Sequence, residues 1–289
     1  MSQFNTVGLM GRINKPESID TLKKCVDVLH QHQRHVCVLD GIMHVLDGVS
    51  NVKAVARERI AVECDLVIVV GGDGSMLGAA RSLNDSRVPV LGVNRGTLGF
   101  LTDVLPVDLE RTIDKVLQGK FSIEERFLLS LEVHRKDGTV VHETAFNDVV
   151  LSSGSTAKMI EFESSVDDVF VNKQRADGLI MATPTGSTAY ALSAGGPIMN
   201  PALDAIVLVP MFPHKLSSRP LVINGASTIT LGVTVTDESE PIISCDAQTM
   251  VPLYKGDRIV VKKNPNTLSM MHPLGHDFYA ACRDKLGWG

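Results

Sequence analysis

The chain has 289 residues, a formal net charge of −5, 44% hydrophobic residues and only 4% aromatic ones. That length suits two domains or one large one, and the acidic balance argues against a nucleic-acid or polybasic membrane role, since both need a basic face. Any anionic substrate must therefore be held by local donors. Cys25, Cys37, Cys64, Cys245 and Cys282 form no CxxC pair and read as reduced thiols. No secretory leader is read, and no apolar run approaches the length of a bilayer span, so the expectation is a soluble cytoplasmic protein.

Residues 4–10 predict a first strand, ending at Gly11. Pro16 suits the first turn of a helix in which Ile19, Leu22, Val26 and Leu29 recur at helical spacing. Residues 36–39 are a second apolar run, residues 52–60 predict a short helix, and residues 66–70 a strand. Its Val67-Ile68-Val69-Val70 core has no polar position, which suits burial on both faces of a parallel sheet. Gly71, Gly72 and Gly74 then allow a tight turn and close backbone approach. Ser75 is read as the cap of a helix with Met76, Leu77, Ala80 and Leu83 on one face, ending near Asn84. Residues 88–93 predict another buried strand. Strands alternating with helices imply a Rossmann-like α/β domain with a parallel sheet. In such sheets ligands bind beyond the carboxyl ends of the strands, where residues 71–74 and 94–99 both fall.

The pattern changes after Pro106. A helix is predicted over 108–117, and from Phe127 the period becomes two, with Leu129, Leu131 and Val133 alternating with polar residues. Lys136-Asp137-Gly138 supplies a hairpin turn before Val140 and Val141. Short strand-like runs follow at 149–151, 159–162, 169–171, 179–182, 206–209, 228–235, 242–244 and 258–261. Residues 277–288 read as a helix. The division expected is an α/β domain over 1–105, a β-rich domain over 106–270, and a segment over 271–289 returning to the first domain.

Two stretches carry chemistry. A strand, a glycine turn and a helix N-terminus make a seat for phosphate, where outward-pointing N–H groups and the helix dipole favour negative charge. Asp73 is the anomaly in that seat. A carboxylate there repels phosphate unless it holds a metal or takes a proton; the plain alternative, that it only shapes the turn, is weakened by the glycines on both sides. The second stretch runs over 175–197. Its Thr185, Ser187, Thr188 and Ser193 are neutral donors and acceptors suited to ribose hydroxyls, phosphate oxygens or an adenine edge, and Ala189 lets a ligand lie near the backbone. Capping a turn needs one or two such residues, not this many. The chain has no P-loop and no protein-kinase motif. The glycine after Gly74 is Gly78, one place late for a dinucleotide fingerprint, which excludes an ordinary Rossmann dehydrogenase.

With these stretches in hand, the chain resembles the NAD kinase family over most of its length. The resemblance rests on Gly71-Gly72-Asp73-Gly74, Asn94-Arg95-Gly96-Thr97-Leu98-Gly99-Phe100-Leu101, Asn147-Asp148, Arg175-Ala176-Asp177-Gly178, Thr183-Pro184-Thr185-Gly186-Ser187-Thr188-Ala189-Tyr190 and Ser244-Cys245-Asp246-Ala247-Gln248. The first motif alone is shared with phosphofructokinases and lipid kinases; all of them in order are specific. The resemblance implies an NAD kinase/diacylglycerol kinase-like fold with a β-rich domain that holds NAD. It also implies a homo-oligomer, commonly a tetramer, and phosphoryl transfer from ATP with a divalent metal cation, Mg2+, giving NADP.

Carried over residue by residue, the resemblance makes Asp73 the proton acceptor for the adenosine ribose 2′-hydroxyl, with Gly74 presenting backbone to the ligand. Asn147 and Asp148 are implied to contact the adenosine and the nicotinamide ribose of NAD, and Thr188, Ala189, Tyr190, Ala191, Leu192 and Ser193 to wall its adenosine side. Arg175 and Asp177 are implied ligand contacts, with a subunit interface as one setting for them, and Gln248 and Lys158 are further ones. Many relatives have Glu where this chain has Asp148. Two other readings stay open: a lipid or sugar kinase sharing the GGDG turn, and a non-catalytic NADP-binding sensor. His30, His32 and His35 read as solvated. His272 and His276 have helical spacing, but Pro273 and Gly275 argue against a helix there. His214, Lys215 and Arg219 suit a phosphate contact or a surface loop equally.

Overall fold

In the computed structural model, which describes residues 4–46, 48–95, 99–154, 158–236 and 239–288, the chain divides into Met1–Arg126 with Asn266–Gly289, and Phe127–Pro265. The first unit alternates strands and helices: β1 (Thr6–Gly11), α1 (Pro16–Gln31), β2 (His35–Leu39), α2 (Asp40–Met43), β3 (Val52–Val55), α3 (Ile60–Glu63), β4 (Leu66–Gly71), α4 (Asp73–Leu83), β5 (Val90–Asn94) and α5 (Leu109–Leu117). Its strands lie in the order β5-β4-β1-β2-β3, all parallel. All six residues of β4 and all five of β5 are buried, the burial on both faces that their unbroken apolar sequence anticipates.

One element differs in kind from the sequence reading. Residues 52–60 are not a helix: Val52–Val55 pairs parallel to β2 as the edge strand, and a 3₁₀ turn and a single α turn follow. Two β-branched residues beside an unpaired sheet edge outweigh helical periodicity over so short a stretch. The unit boundaries also fall at 126/127 and 265/266, not at 105/106 and 270/271. Helix α5 stays with the first unit because its apolar face (Leu109, Ile113, Val116, Leu117) is buried and packs on α1, where His32 Nε2 lies 2.6 Å from Asp114 Oδ1.

The second unit is a two-layer antiparallel sandwich. One layer has the order β13-β12-β11-β8-β15-β16, from β8 (Asp148–Ser152), β11 (Gly178–Ala182), β12 (Ala205–Met211), β13 (Leu221–Asn224), β15 (Ile242–Cys245) and β16 (Thr249–Pro252). The other contains β9 (Ile160–Val166), β10 (Val169–Ala176), β14 (Ile229–Thr234), the first part of β17 (Arg258–Pro273) and the hairpin of β6 (Phe121–His134) with β7 (Val140–Ala145). Val149 and Leu151 of β8 point into the core between the layers with Leu129, Phe162, Met181 and Ile259. Val150 points the other way, onto a smaller cluster with Ile180, Met199 and Ala191 of the short helix α6 (Tyr190–Ser193). The chain ends in the first unit with α7 (Phe278–Leu286), capped by the Asp277 carboxylate on the Tyr279 N–H at 2.9 Å and closed by left-handed Gly287. Among the described residues no helix is long and apolar enough to cross a membrane.

Candidate active site

In the first unit, β4 delivers the chain to Gly71 and Gly72, and α4 begins at Asp73. Ser75 is therefore not the cap. The cap position is Gly72, without a capping side chain, and Ser75 instead packs so tightly on Gly71 that any Cβ there would strike it. The Asp73 carboxylate leaves the turn sideways and accepts two backbone hydrogen bonds, from the Phe100 N–H to Oδ2 (3.0 Å) and from the Leu101 N–H to Oδ1 (3.1 Å). Gly99 must be glycine because a Cβ at that position would overlap the same carboxylate. Behind this segment the buried Asn94 amide donates to Thr102 Oγ1 at 3.0 Å, and the Val104 N–H bonds Gly92 O, fixing where the Phe100 and Leu101 amides point. Gly96, Thr97 and Leu98 of the same motif lie outside the described residues.

Two cations that sequence reasoning passed over stand at this turn. Lys285 of α7 places Nζ 3.9 Å from Asp73 Oδ2 and 4.9 Å from the centre of the Phe100 ring. Arg12, just beyond the carboxyl end of β1, has its guanidinium beside Gly74, about where ordinary van der Waals contact with an added Cβ would begin. Neither has a local sequence signal, because each is brought to the turn by the sheet or by a helix some two hundred residues downstream.

In the second unit the carboxylate of Asp246 organises the site. It accepts from the N–H groups of Phe146 (2.8 Å), Asn147 (2.7 Å) and Asp148 (3.1 Å), while the Asp246 N–H returns a bond to Asp148 O at 3.0 Å. Thr183 ties in the next motif: its N–H and its hydroxyl both donate to Asn147 O, and the hydroxyl also donates to Phe146 O at 2.8 Å. Gly186 lies against Asn147 O so closely that a Cβ would collide with the carbonyl. Asn147-Asp148, Thr183–Tyr190 and Cys245–Gln248 thus form one cluster. Asp246 belongs to a quoted motif but was not counted among the site residues; a buried carboxylate that acts through backbone amides leaves no mark in spacing.

The hydroxyl-rich loop is less available than its composition suggests. Ser187 is fully buried and spends its hydroxyl on Pro184 O at 2.6 Å while accepting the Met199 N–H at 2.9 Å, so it shapes the loop. Thr188 donates to Thr185 O at 3.2 Å. Ala191 is buried in the smaller core cluster, whereas Tyr190 and Ser193 are exposed and Ala189 and Leu192 half-buried. Arg175 and Asp177 are not brought to the Asn147 cluster. They precede Gly178, which pairs with Ser152, while the cluster adjoins Ala182, which pairs with Asp148. A five-residue strand separates the two ends by roughly 15 Å. Arg175 instead lines a cavity of about 280 Å³ with Lys173, Lys215, Ser218 and Arg219. Lys158 and Gln248 are exposed.

Two features of the second cluster carry measurable consequences. Asp246 and Ala247 both adopt left-handed backbone (φ 53° and 52°) in the turn between β15 and β16, closed by the Gln248 N–H on Cys245 O at 2.9 Å. That conformation costs a non-glycine residue about 1 kcal/mol. Ala247→Gly is expected to stabilise the protein by about that amount, read as a shift in urea midpoint at unchanged m-value. Burial, aided by the neighbouring Asp246 carboxylate, pushes the Asp148 carboxyl up to about 7. The folded chain then holds a proton that the unfolded chain releases near pH 4, so this residue's contribution to stability is lost as pH rises from about 4 to about 7. Asp148→Asn is expected to gain stability over the unmodified chain across that window, by on the order of 2–4 kcal/mol, in urea titrations repeated at intervals of pH.

Known protein families match a large part of each unit. Residues 7–121 match the family described as the ATP-NAD kinase N-terminal domain, and residues 146–272 match the ATP-NAD kinase C-terminal domain. An NAD kinase of Pseudomonas putida (strain W619) is 50% identical over all of this chain and 97% of its own length. One of Azotobacter vinelandii (strain DJ) is 48% identical over all of this chain and 98% of its own. Among solved structures, a yeast NADH kinase complexed with NADH shares the fold with a TM-score of 0.90 at 24% identity, over 99% of this chain and 88% of that one. An NAD kinase from Archaeoglobus fulgidus in complex with ATP gives a TM-score of 0.76 at 25% identity, over 98% and 97%.

The fold and the family matches are those of a phosphotransferase that uses an alcohol group as acceptor. The chain belongs to the NAD kinase family. Its activity is phosphorylation of NAD; the lipid-kinase, sugar-kinase and silent-sensor readings find no support.

Proposed function

We propose that Asp73 accepts the proton of the adenosine ribose 2′-hydroxyl as that oxygen attacks the γ-phosphorus of ATP, giving NADP and ADP. The observation that carries this reading is the carboxylate at the N-terminus of α4, with its orientation fixed by the Phe100 and Leu101 amides. Two accepted hydrogen bonds leave about two lone pairs on the carboxylate, enough for one hydroxyl. In a loose phosphoryl-transfer transition state, positioning and charge neutralisation outweigh proton removal, so the amide clamp matters as much as the basicity. Arg12 and Lys285 supply positive charge to phosphate oxygens. The Asp73 carboxylate, together with phosphate oxygens of ATP, would hold a divalent cation such as Mg2+, which would supply neutralisation of charge on the transferring group.

In the second unit Asn147 and Asp148 hold ribose hydroxyls, Asp148 as donor or acceptor since it sits near its midpoint at neutral pH. Gly74 offers backbone, while Thr188 to Ser193 wall the adenosine, with the exposed Tyr190 ring for stacking and Ala191 contributing backbone only. Gln248 and Lys158 stand at the exposed rim. Arg175 and Asp177, displaced by the length of β11, serve the ligand of a second copy of the chain, which makes the working enzyme a homo-oligomer, a tetramer by family resemblance. Five buried free thiols fit a reducing cytoplasm.

The reading is tested with γ-labelled ATP, Mg2+ and either NAD or its 2′-deoxy analogue. Label is expected in NAD alone, and chelation of the cation is expected to suppress transfer. Label appearing in the 2′-deoxy analogue would move the acceptor away from Asp73.

A further inference from the structure

A half-buried cluster in the first unit takes no part in the chemistry above. His272 lies at the end of β17, where Met270 and Met271 pair parallel with β5. Pro273-Leu274-Gly275-His276 then folds as a tight turn, with the His276 N–H on Pro273 O at 3.2 Å and Gly275 at φ +91°. The turn brings His276 back onto His272, so that the two rings stack at 3.9 Å and 18°. Both present Nδ1 to one oxygen, Asp103 Oδ2, at 2.9 Å from His272 and 2.8 Å from His276. The other oxygen, Asp103 Oδ1, is buried and has no hydrogen-bond partner among the described residues. On its far side His272 turns Nε2 to the Glu124 carboxylate at 3.4 Å, and Glu124 is itself held by the buried Arg126 guanidinium at 2.9 Å.

We propose that Asp103, His272 and His276 bind a single transition-metal ion, Zn2+ or a close analogue such as Co2+, at a site distinct from the cation that enters with ATP. The ligand atoms already lie within 4.8 Å of one another. A tetrahedral ion with bonds of about 2.0–2.1 Å separates its ligands by roughly 3.3 Å, so entry opens each hydrogen-bonded pair by about half an ångström. The ion takes the place of the Nδ1 protons, and His272 keeps its Nε2–H for Glu124. A carboxylate behind the imidazole is the usual companion of a metal-bound histidine, fixing its tautomer and raising its basicity. Two imidazoles and a carboxylate favour Zn2+ or Co2+ over Mg2+, which prefers oxygen and resists losing water. A cavity of about 370 Å³, bordered by Gly99, Phe100 and His276, leaves room for a fourth ligand from solvent.

Such an ion fastens the turn after β17 to the segment whose Phe100 and Leu101 amides hold Asp73. The consequence is a metal-dependent stiffness of that clamp, without a metal in the reaction itself.

The test uses the full-length protein stripped of metal, without nucleotide, titrated with Co2+ and then with Zn2+. One equivalent of Co2+ is expected to bind with the intense ligand-field absorption of a four-coordinate N,O site. Zn2+ is expected to displace it and millimolar Mg2+ to leave it in place. His276→Gln and Asp103→Asn are each expected to lower the affinity at least tenfold, and Glu124→Gln to lower it less; circular dichroism establishes that each variant is folded. The melting temperature should rise with Zn2+ in the unmodified protein and not in His276→Gln. Weak six-coordinate Co2+ only, or equal binding by the unmodified protein and His276→Gln, would overturn the proposal and leave the cluster as a half-buried ion pair.

Discussion

Asp73→Asn is expected to lower kcat by a factor of about 10²–10⁴ while changing the dissociation constant for NAD by no more than about threefold. The reason lies in what the substitution keeps. The carboxamide oxygen of the new side chain can still accept one of the two amide hydrogen bonds from Phe100 and Leu101, so the loop stays close to its place. The other amide then faces an NH2 group, a local cost of about 1–2 kcal/mol that a global unfolding curve should register only weakly. What disappears is the negative charge beside the attacking oxygen and the acceptor for its proton. Single-turnover phosphoryl transfer and equilibrium binding of NAD separate the two effects. Turnover within a factor of about three of the unmodified enzyme would remove Asp73 from the chemistry and leave it as a loop anchor.

The second large effect is expected away from the reacting atoms. Asp246→Ala strips the acceptor from three N–H groups, those of Phe146, Asn147 and Asp148, in a region where Phe146 is fully buried. Each unsatisfied buried donor costs about 1–3 kcal/mol; relief of the repulsion between Asp246 and Asp148 offsets part of the sum. A net loss on the order of 3–5 kcal/mol is expected in urea unfolding, with a rise in KM for NAD of at least about tenfold in whatever fraction stays folded. Asp246→Asn, which keeps one acceptor oxygen, should fall between. Faster hydrogen exchange at the amides of 146–148 would localise the damage. Unchanged stability and unchanged KM in the alanine variant would show that the Asn147-Asp148 segment is positioned by something other than this carboxylate.

How much of this was legible in the sequence depended on whether the cause was local. The parallel sheet was legible because Val67–Val70 and the strand over residues 90–93 are apolar without interruption, a pattern that only burial on both faces tolerates. The edge strand Val52–Val55 was not, since its pairing partner, not its own four residues, makes it a strand. Strands Leu221–Asn224 and Thr249–Pro252 were missed for the same reason: they flank the six-stranded layer and expose much of their length. Within the site, Asp73 stood out because a charge among glycines violates local expectation. Lys285 and Arg12 did not, because tertiary structure alone brings them to the turn. Ser187 misled in the other direction: its hydroxyl looked available and is consumed by Pro184 and Met199. The stacking of His272 on His276 was hidden by the very Pro273 and Gly275 that ruled out a helix, since those residues build the turn that overlays the rings.

A crystal structure of the enzyme with NAD bound would examine the base assignment most directly. The 2′-oxygen of the adenosine ribose is expected within about 2.6–3.2 Å of an Asp73 carboxylate oxygen, with the Phe100 and Leu101 amides still on that carboxylate. An adenosine ribose that turned its 2′-oxygen elsewhere, or a nicotinamide ribose facing Asp73 in its place, would contradict it.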